Sequence, residues 1–368
     1  MAVLTPDDRA AARAEFLRAA GWGGAQVSPF PGDASTRSYF RLSQGDRGAI
    51  LMDAPGGAEA PACPPQADRE TRAQLGYNAL ARLAGPDTAA FAAIASALSA
   101  RGFSAPRVYE ADLDAGFLIL EDLGDDLFAR VIPERAHEGA LYAAAVEVLA
   151  AIYRASFEAE PEAHGKSWRI QAYDTVALAT ETRLFLDWYA PERGAAPSAE
   201  AYTAWDQAWA EAFQTLTGHA PGLVLRDFHA ENLIWLPGRD GQARVGLLDF
   251  QDALFGHPAY DLASLIEDAR RDVPRDLAEP LTQRFFDQAG LSDRDAFDAA
   301  FAVLAAQRNA KILGIFVRLA RRDGKARYLE LLPRVARHFV RDLSHPALAP
   351  VRAAVREISP HVFAEADR

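Results

Sequence analysis

Two short segments of this chain carry residue types at a spacing suited to moving a phosphoryl group. The first is Leu225-Arg226-Asp227-Phe228-His229-Ala230-Glu231-Asn232, which runs straight into the apolar Leu233-Ile234-Trp235. The second is Leu247-Leu248-Asp249-Phe250-Gln251-Asp252, followed closely by Pro258-Ala259-Tyr260-Asp261-Leu262-Ala263. Phosphoryl transfer from ATP asks a protein for a positioned nucleophile, metal ligands and positive groups on the phosphates. An Asp with an Asn five residues on, both on one loop, can supply the first two. Asp227 would orient an acceptor hydroxyl and take its proton, and Asn232 would offer an amide oxygen to Mg2+. Asp249, ending an apolar strand, adds a carboxylate for the same ions. Magnesium takes few ligands from protein and the rest from phosphates and water, so these three form a sufficient minimal set. An Asp-x4-Asn alone is common. The joint pattern, with sixteen residues between Asn232 and the Asp-Phe pair and apolar flanks on both, is far more specific.

Strands are expected first and helices later. A helix over Pro6–Ala20, with Thr5 as its cap and Pro6 in its first turn, opens the chain. Strands are expected at Gln26–Phe30, Arg37–Ser43 and Ala49–Asp53, the last two joined by a hairpin turn over Gln44–Gly48. A Pro-, Gly- and Ala-rich loop at Ala54–Pro65 precedes helices at about Ala67–Ala84 and Thr88–Ala100. Arg107–Glu110 and Phe117–Glu121 read as a further strand pair, and Glu121–Asp126 as a turn. Beyond it the pattern is mainly helical, with an island of short strands (Leu223–Leu225, Leu233–Leu236 and Val245–Asp249) around the polar motifs. The expected class is α+β, with a small antiparallel-sheet lobe over residues 1–121 and a mainly helical lobe over 122–368.

Composition narrows the partners. Half the residues are hydrophobic, 24% are charged, and the formal net charge is -12 with no long run of Lys or Arg. A nucleic acid or an anionic membrane is therefore not an expected partner. Cys63 stands alone, which excludes an internal disulfide and Cys-based structural zinc. The start of the chain lacks the basic stretch and apolar run of a signal peptide, and no apolar run has the length of a membrane span, so a cytoplasmic location is expected.

The run from Leu225 to Ala263 resembles the aminoglycoside phosphotransferase and choline kinase superfamily, whose members share the two-lobed protein-kinase fold. The resemblance implies that Asp227 is the catalytic base, that Asn232 and Asp249 are magnesium ligands, and that His229 is the second catalytic-loop histidine. His229 is expected to act as a neutral residue positioning the loop. It further implies that Asp261 is a buried support for the loop. Leu118-Ile119-Leu120-Glu121-Asp122-Leu123-Gly124 resembles the hinge whose backbone meets adenine, which brings Glu121 and Leu123 to the nucleotide. Gly32-Asp33-Ala34-Ser35-Thr36-Arg37 sits where the phosphate-covering loop belongs, with Ser35 and Thr36 as hydroxyl donors. One branch is closer still, the anomeric kinases that phosphorylate N-acetylmuramate and N-acetylglucosamine. That likeness rests on residues 32–41, Met52-Asp53-Ala54-Pro55, residues 249–253 and Gln307-Arg308-Asn309-Ala310-Lys311-Ile312-Leu313-Gly314.

The pattern also departs from the superfamily. A lysine is expected on the third strand, yet Ile50-Leu51-Met52-Asp53 stands there and residues 1–165 contain no lysine. Arg37 and Arg41 are the candidate substitutes, Arg37 first. Leu225 replaces the first loop histidine, and Gln251 replaces the Gly of a D-F-G, removing the backbone freedom of a flipping switch. On the acceptor side Asp252, Asp268, Arg308 and Lys311 are candidates, with Arg308 suited to a sugar-acid carboxylate. Arg308 and Lys311, three apart, share a helix face. Two other readings stay open: a kinase of another hydroxylated amine, such as an aminoglycoside or choline, and a nucleotide-binding module without turnover.

Overall fold

The first helix, α1 (Pro6–Ala19), starts where Thr5 accepts a hydrogen bond from the Asp8 N–H at 3.2 Å and Pro6 occupies the first turn. It lies on a five-stranded antiparallel sheet made of β1 (Gln26–Pro29), β2 (Ser38–Gln44), β3 (Arg47–Asp53), β4 (Val108–Asp112) and β5 (Phe117–Leu120), in the order β1-β2-β3-β5-β4. Gln44 pairs with Arg47, and Gly45 takes the left-handed φ of 60° in the tight turn between them. This computed structural model describes residues 5–30, 37–55, 64, 66–68, 70–72, 74–75, 84, 87–134 and 138–367. Ser35 and Thr36, Cys63, most of the loop expected at 54–65 and most of the helix expected at 67–84 lie outside the described residues.

Period-2 alternation splits the sheet's side chains between two cores. Leu42, Leu51, Phe117 and Ile119 pack with Leu17 of α1 and with Trp22. Met52, Leu118 and Leu120 belong to the main core, together with Phe91, Ile94 and Leu98 of α2 (Thr88–Ser99). That core continues without a break into the helical part of the chain. The sheet and the helices that follow thus share a core.

The second half is built from α3 (Phe128–Glu134), α4 (Glu138–Arg154), a small hairpin of β6 (Glu162–Ala163) and β7 (Lys166–Ser167), α5 (Thr175–Leu184), α6 (Ala199–Ala212), α7 (Ala259–Ile266), α8 (Arg275–Gln288), α9 (Arg294–Arg322), α10 (Leu332–Asp342), α11 (Ala349–Ile358) and α12 (His361–Ala366). Asp174 caps α5 through the N–H groups of Val176 and Ala177, both at 3.1 Å. After α5 a π-helical turn, Phe185–Tyr189, crosses α9. The crossing is close because position 314 is glycine: a Cβ there would stand 2.2 Å from the Leu184 carbonyl oxygen. By length and composition α9 could cross a membrane, but 89% of its apolar window is buried inside the protein, which makes it a core helix.

The expected strand island is present as β8 (Gly222–Val224), β9 (Leu233–Trp235) and β10 (Val245–Leu247), with one addition, β11 (Leu254–Gly256). β9 pairs with β10 and β8 with β11, both antiparallel. The loop after β8 and the turn after β10 carry the two polar motifs.

Candidate active site

The segment Leu225–Asn232 is held from both sides. Behind it, the buried carboxylate of Asp261 on α7 accepts the Leu225 N–H at 2.6 Å and the Arg226 N–H at 2.8 Å. Arg226 has a φ of 72°, a left-handed conformation that a residue carrying a Cβ resists, so those two bonds fix a strained backbone next to Asp227. In front, the Asp227 carbonyl accepts from Nδ2 of Asn232 at 3.0 Å, and the Asn232 N–H donates to the His229 carbonyl at 2.8 Å. Asn232 therefore uses its NH2 to close the loop, and its amide oxygen is the end left for a ligand.

Asp249 meets this loop from the neighbouring strand. The Leu248 N–H donates to the Asn232 carbonyl at 2.9 Å, stitching the two segments together. Asp249 itself has a φ of 55°, and Nε2 of Gln251 donates to its Oδ1 at 2.7 Å. Phe250, fully buried, stacks on Phe91 of α2 with centroids 4.9 Å apart, which pins the turn to the upper part of the molecule.

The electrostatics separate the two acids. Burial is the largest influence on Asp249 and the nearby Asp227 carboxylate the next; together they lift it to about 6. Burial also acts most strongly on Asp227, but Lys311, then His229, Arg226 and Arg308, outweigh it and hold Asp227 below the usual carboxylate value. His229 is pushed down to about 4, chiefly by burial, so it is neutral at physiological pH. Two like-charged carboxyls at one site, joined by an amide oxygen, suit a hard divalent cation, which would relieve the repulsion that raises Asp249. Among the described residues no group of three or more His, Cys, Asp or Glu side chains gathers into a dedicated metal cage. An ion bound mainly through phosphates and water needs none.

From the sheet side Arg37 and Tyr39 face the same place. The Tyr39 hydroxyl is raised above its usual value by burial first, and it feels Arg37, which hydrogen bonds to it, and Asp249. Arg37 also acts on Asp249. Arg41 points elsewhere. Its guanidinium holds Asp125 at 2.8 and 2.9 Å and Asp122 at 2.8 Å, across the turn that follows β5. Glu121 is paired with Arg239 at 2.5 Å, and its N–H donates to the Arg107 carbonyl. Leu123 lines a cavity of about 390 Å3 together with Gly124, Asp125, Trp235, Leu236 and Arg239. Neither Asp227 nor Asp249 lines that cavity, so the candidate chemistry is located by its side chains and not by this void.

The acceptor-side candidates divide into two sets. Asp268 is buried; its Oδ1 accepts the Arg270 N–H at 2.9 Å, while its buried Oδ2 has no partner among the described residues. It is the leading attractive charge on His229, whose Nδ1 is also buried and unpartnered among those residues. Among the described residues Arg308 makes a long contact, 3.4 Å, to the Glu267 carbonyl. Asp252 accepts the Ala84 N–H at 3.0 Å. Lys311 is committed inward, donating to the Tyr260 hydroxyl at 2.5 Å and standing 3.6 Å from Glu181. Glu181, Tyr173, Tyr260 and Gln307 form a buried network with Lys311 and Arg226, and the motif reading did not find it. The polar run 307–311 inside an otherwise apolar helix was its only sequence signal.

Proteins of known name share this sequence along most of its length. A protein of Caulobacter vibrioides named N-acetylmuramate/N-acetylglucosamine kinase is 44% identical over 94% of this chain and 95% of its own. A protein of the same name from Pseudomonas aeruginosa is 31% identical over 88% of this chain and 86% of its own. In fold, the solved structure of a microcompartment-associated aminopropanol kinase superposes with a TM-score of 0.57 at 15% identity, covering 92% of this chain and 99% of that one. Residues 26–299 match the Phosphotransferase enzyme family over the sheet, the catalytic loop and both metal-ligand candidates, and the chain is a member of that family of small-molecule phosphotransferases.

Proposed function

We propose that this protein is an ATP-dependent sugar 1-kinase that phosphorylates the anomeric hydroxyl of N-acetylmuramate and N-acetylglucosamine, working in the cytoplasm where ATP is held. The observation that supports the acceptor is the 44% identity, over nearly the whole chain, with the Caulobacter kinase. The site chemistry is compatible with it. A hemiacetal hydroxyl is more acidic than an ordinary alcohol, so a carboxylate kept ionised, as Asp227 is, need only orient it and accept its proton late. The sugar O1–Pγ bond forms as the bond from Pγ to the bridging oxygen breaks, and ADP leaves with that oxygen. Asn232 and Asp249 would hold Mg2+, which when bound neutralises charge on the phosphates.

Other residues take supporting roles in this reading. Arg37, with Ser35 and Thr36 beside it in sequence, meets the phosphates. The backbone of the Glu121–Leu123 turn meets the base. The free carboxylate oxygen of Asp268 accepts a sugar hydroxyl, and Arg308 pairs with the lactyl carboxylate of N-acetylmuramate. His229 stays neutral and positions the loop. Arg41 is left out, because both carboxylates that hold it belong to the turn after β5.

The test is transfer from radiolabelled ATP with magnesium across N-acetylmuramate, N-acetylglucosamine, kanamycin and choline, with Asp227→Ala in parallel. Labelling of the two acetylated sugars, abolished in the variant, supports the proposal. Preferential labelling of kanamycin or choline, or of no acceptor, sinks it.

A further inference from the structure

Glu181 is a charged side chain placed deep in the protein with no evident reason in its sequence context. It sits on α5, is 1% exposed, and has both oxygens engaged. Oε1 accepts from Nη2 of Arg226 at 2.6 Å. Oε2 accepts from Nε2 of Gln307 at 2.9 Å and from the Tyr173 hydroxyl, with Nζ of Lys311 3.6 Å away. The donors come from three separate pieces of chain: the segment before α5, the catalytic loop and α9. Gln307 also donates to the Leu178 carbonyl at 3.1 Å, which locks α9 to α5 at this level.

Two buried cations and one buried carboxylate meet at this point. Arg226 and Lys311 are both buried cations, and Glu181 balances only one of them. Asp227, the residue after Arg226, feels both cations, and Asp252 acts on Arg226 as well. A buried ion pair is retained at a cost in desolvation that hydrophobic side chains would avoid, so a buried charge cluster tied to the residue before Asp227 calls for a role beyond stability. Without the Glu181 charge, Arg226 would lose its ion pair at 2.6 Å and its tie to α5, next to Asp227 and in a backbone of positive φ.

We infer that Glu181 is a positioning residue for phosphoryl transfer: by neutralising Arg226 and anchoring it to α5 and α9, it keeps the Asp227 carboxylate turned to the acceptor hydroxyl. Lys311 then belongs to this set and does not contact substrate. The inference rests on Asp227 being the base.

The experiment compares wild type, Asp227→Asn, Glu181→Gln and the double variant Glu181→Gln/Lys311→Met, using the acceptor the wild type labels best and saturating ATP and magnesium. Glu181→Gln is expected to lower kcat at least 30-fold while the KM for ATP and for the sugar each stay within threefold. The double variant restores the charge balance, and its kcat is expected to exceed that of Glu181→Gln by at least fivefold. A merely structural glutamate would give no such recovery, the double variant being no better than Glu181→Gln. A kcat for Glu181→Gln within threefold of wild type, or no recovery in the double variant, overturns the inference. If Glu181→Gln does not fold, Arg226→Met leaves Glu181 and Lys311 as a neutral pair and cuts only the tie to the loop. It is expected to lose at least tenfold in kcat at unchanged KM, and a loss under threefold overturns the inference. Full activity in Asp227→Asn would instead remove the base assignment, and that failure is separately visible.

Discussion

The Asp261→Asn variant isolates the device that holds the catalytic loop. Asp261 is 1% exposed and accepts two backbone N–H groups at 2.6 and 2.8 Å. Burial, the largest influence, and then Asp227 lift it to about 7 against the pull of those two bonds. An assay at pH 8 therefore addresses the ionised form. Asparagine is isosteric but can accept only through its one oxygen, so one N–H is left facing an NH2. A hydrogen bond to a charged group is worth about 1.5–3 kcal/mol, and a buried donor left unpaired costs about 1–3 kcal/mol. These figures overlap, and a net loss of about 2–4 kcal/mol is expected. That is below a typical total stability of about 5–15 kcal/mol, so the variant folds. With about 2.1 cal/mol/K of unfolding entropy per residue, a chain of 368 residues shifts by about 1.3 °C per kcal/mol, so the melting temperature should fall by about 3–5 °C. Arg226, released from a left-handed conformation that costs about 1–3 kcal/mol, will relax and carry Asp227 with it. Two kcal/mol spent on restoring the loop lowers kcat about 30-fold. ADP release coupled to NADH oxidation, with a thermal melt of the same preparation, measures both effects. A lower melting temperature with kcat within twofold would refute the link between loop strain and turnover, and an unchanged melting temperature would refute the bond energies.

Two further outcomes follow from the same geometry. Arg37→Ala should raise the KM for ATP or lower kcat at least tenfold, because Arg37 is the cation that faces Asp249 from the sheet; unchanged steady-state kinetics would remove it from the phosphate site. His257, whose Nδ1 accepts the Ala259 N–H at the start of α7, is pushed down to about 3 by burial first and then by His219. Its folded value lies below the unfolded one, so its contribution is complete above about pH 6.5 and is lost as pH falls toward 3. Between pH 7 and 5 this one group should remove about 2 kcal/mol of stability. A His257→Gln variant, followed by urea unfolding at both pH values, should lose correspondingly less, and an identical pH slope would refute the assignment.

Much of the site could be read from sequence because its chemistry is local. Asp227, Asn232 and Asp249 sit at spacings set by a loop and a strand end, and the apolar runs beside them are the strands that position them. The network around Glu181 was not legible, because its members lie at positions 173, 181, 226, 260, 307 and 311 and only the packing of α5 on α9 brings them together. Arg41 shows the converse. Next to a presumed phosphate loop it reads as a phosphate ligand, but Asp122 and Asp125, remote in sequence, reach it first. Strand β11 was missed because Leu254-Phe255-Gly256 is too short to show alternation, and its pairing with β8 is a tertiary event.

The missing third-strand lysine is explained by both faces of β3. Met52 is fully buried in the main core that includes α2, whose sequence from Thr88 to Ser99 contains no ionisable residue. A lysine at position 52 would have neither water nor a carboxylate partner on that helix, and an unpaired buried ammonium is costly. Apolar strand and apolar helix are therefore a matched pair, and in the proposed reading the positive charge comes to the phosphates from the start of β2, between β1 and β3. An arginine at the start of β2 suits that task better than a lysine, because a guanidinium stays ionised in a partly closed cleft and grips phosphate oxygens in pairs. The neighbouring Asp53 then sits on the opposite face, 5% exposed, where Arg9 and Arg13 of α1 hold its carboxylate at 2.7 and 3.3 Å. Helix α1 lies before residue 26, where the family match begins, yet it supplies the cations that this acidic strand end requires. The same strand thus turns an apolar side chain toward α2 and a carboxylate toward α1.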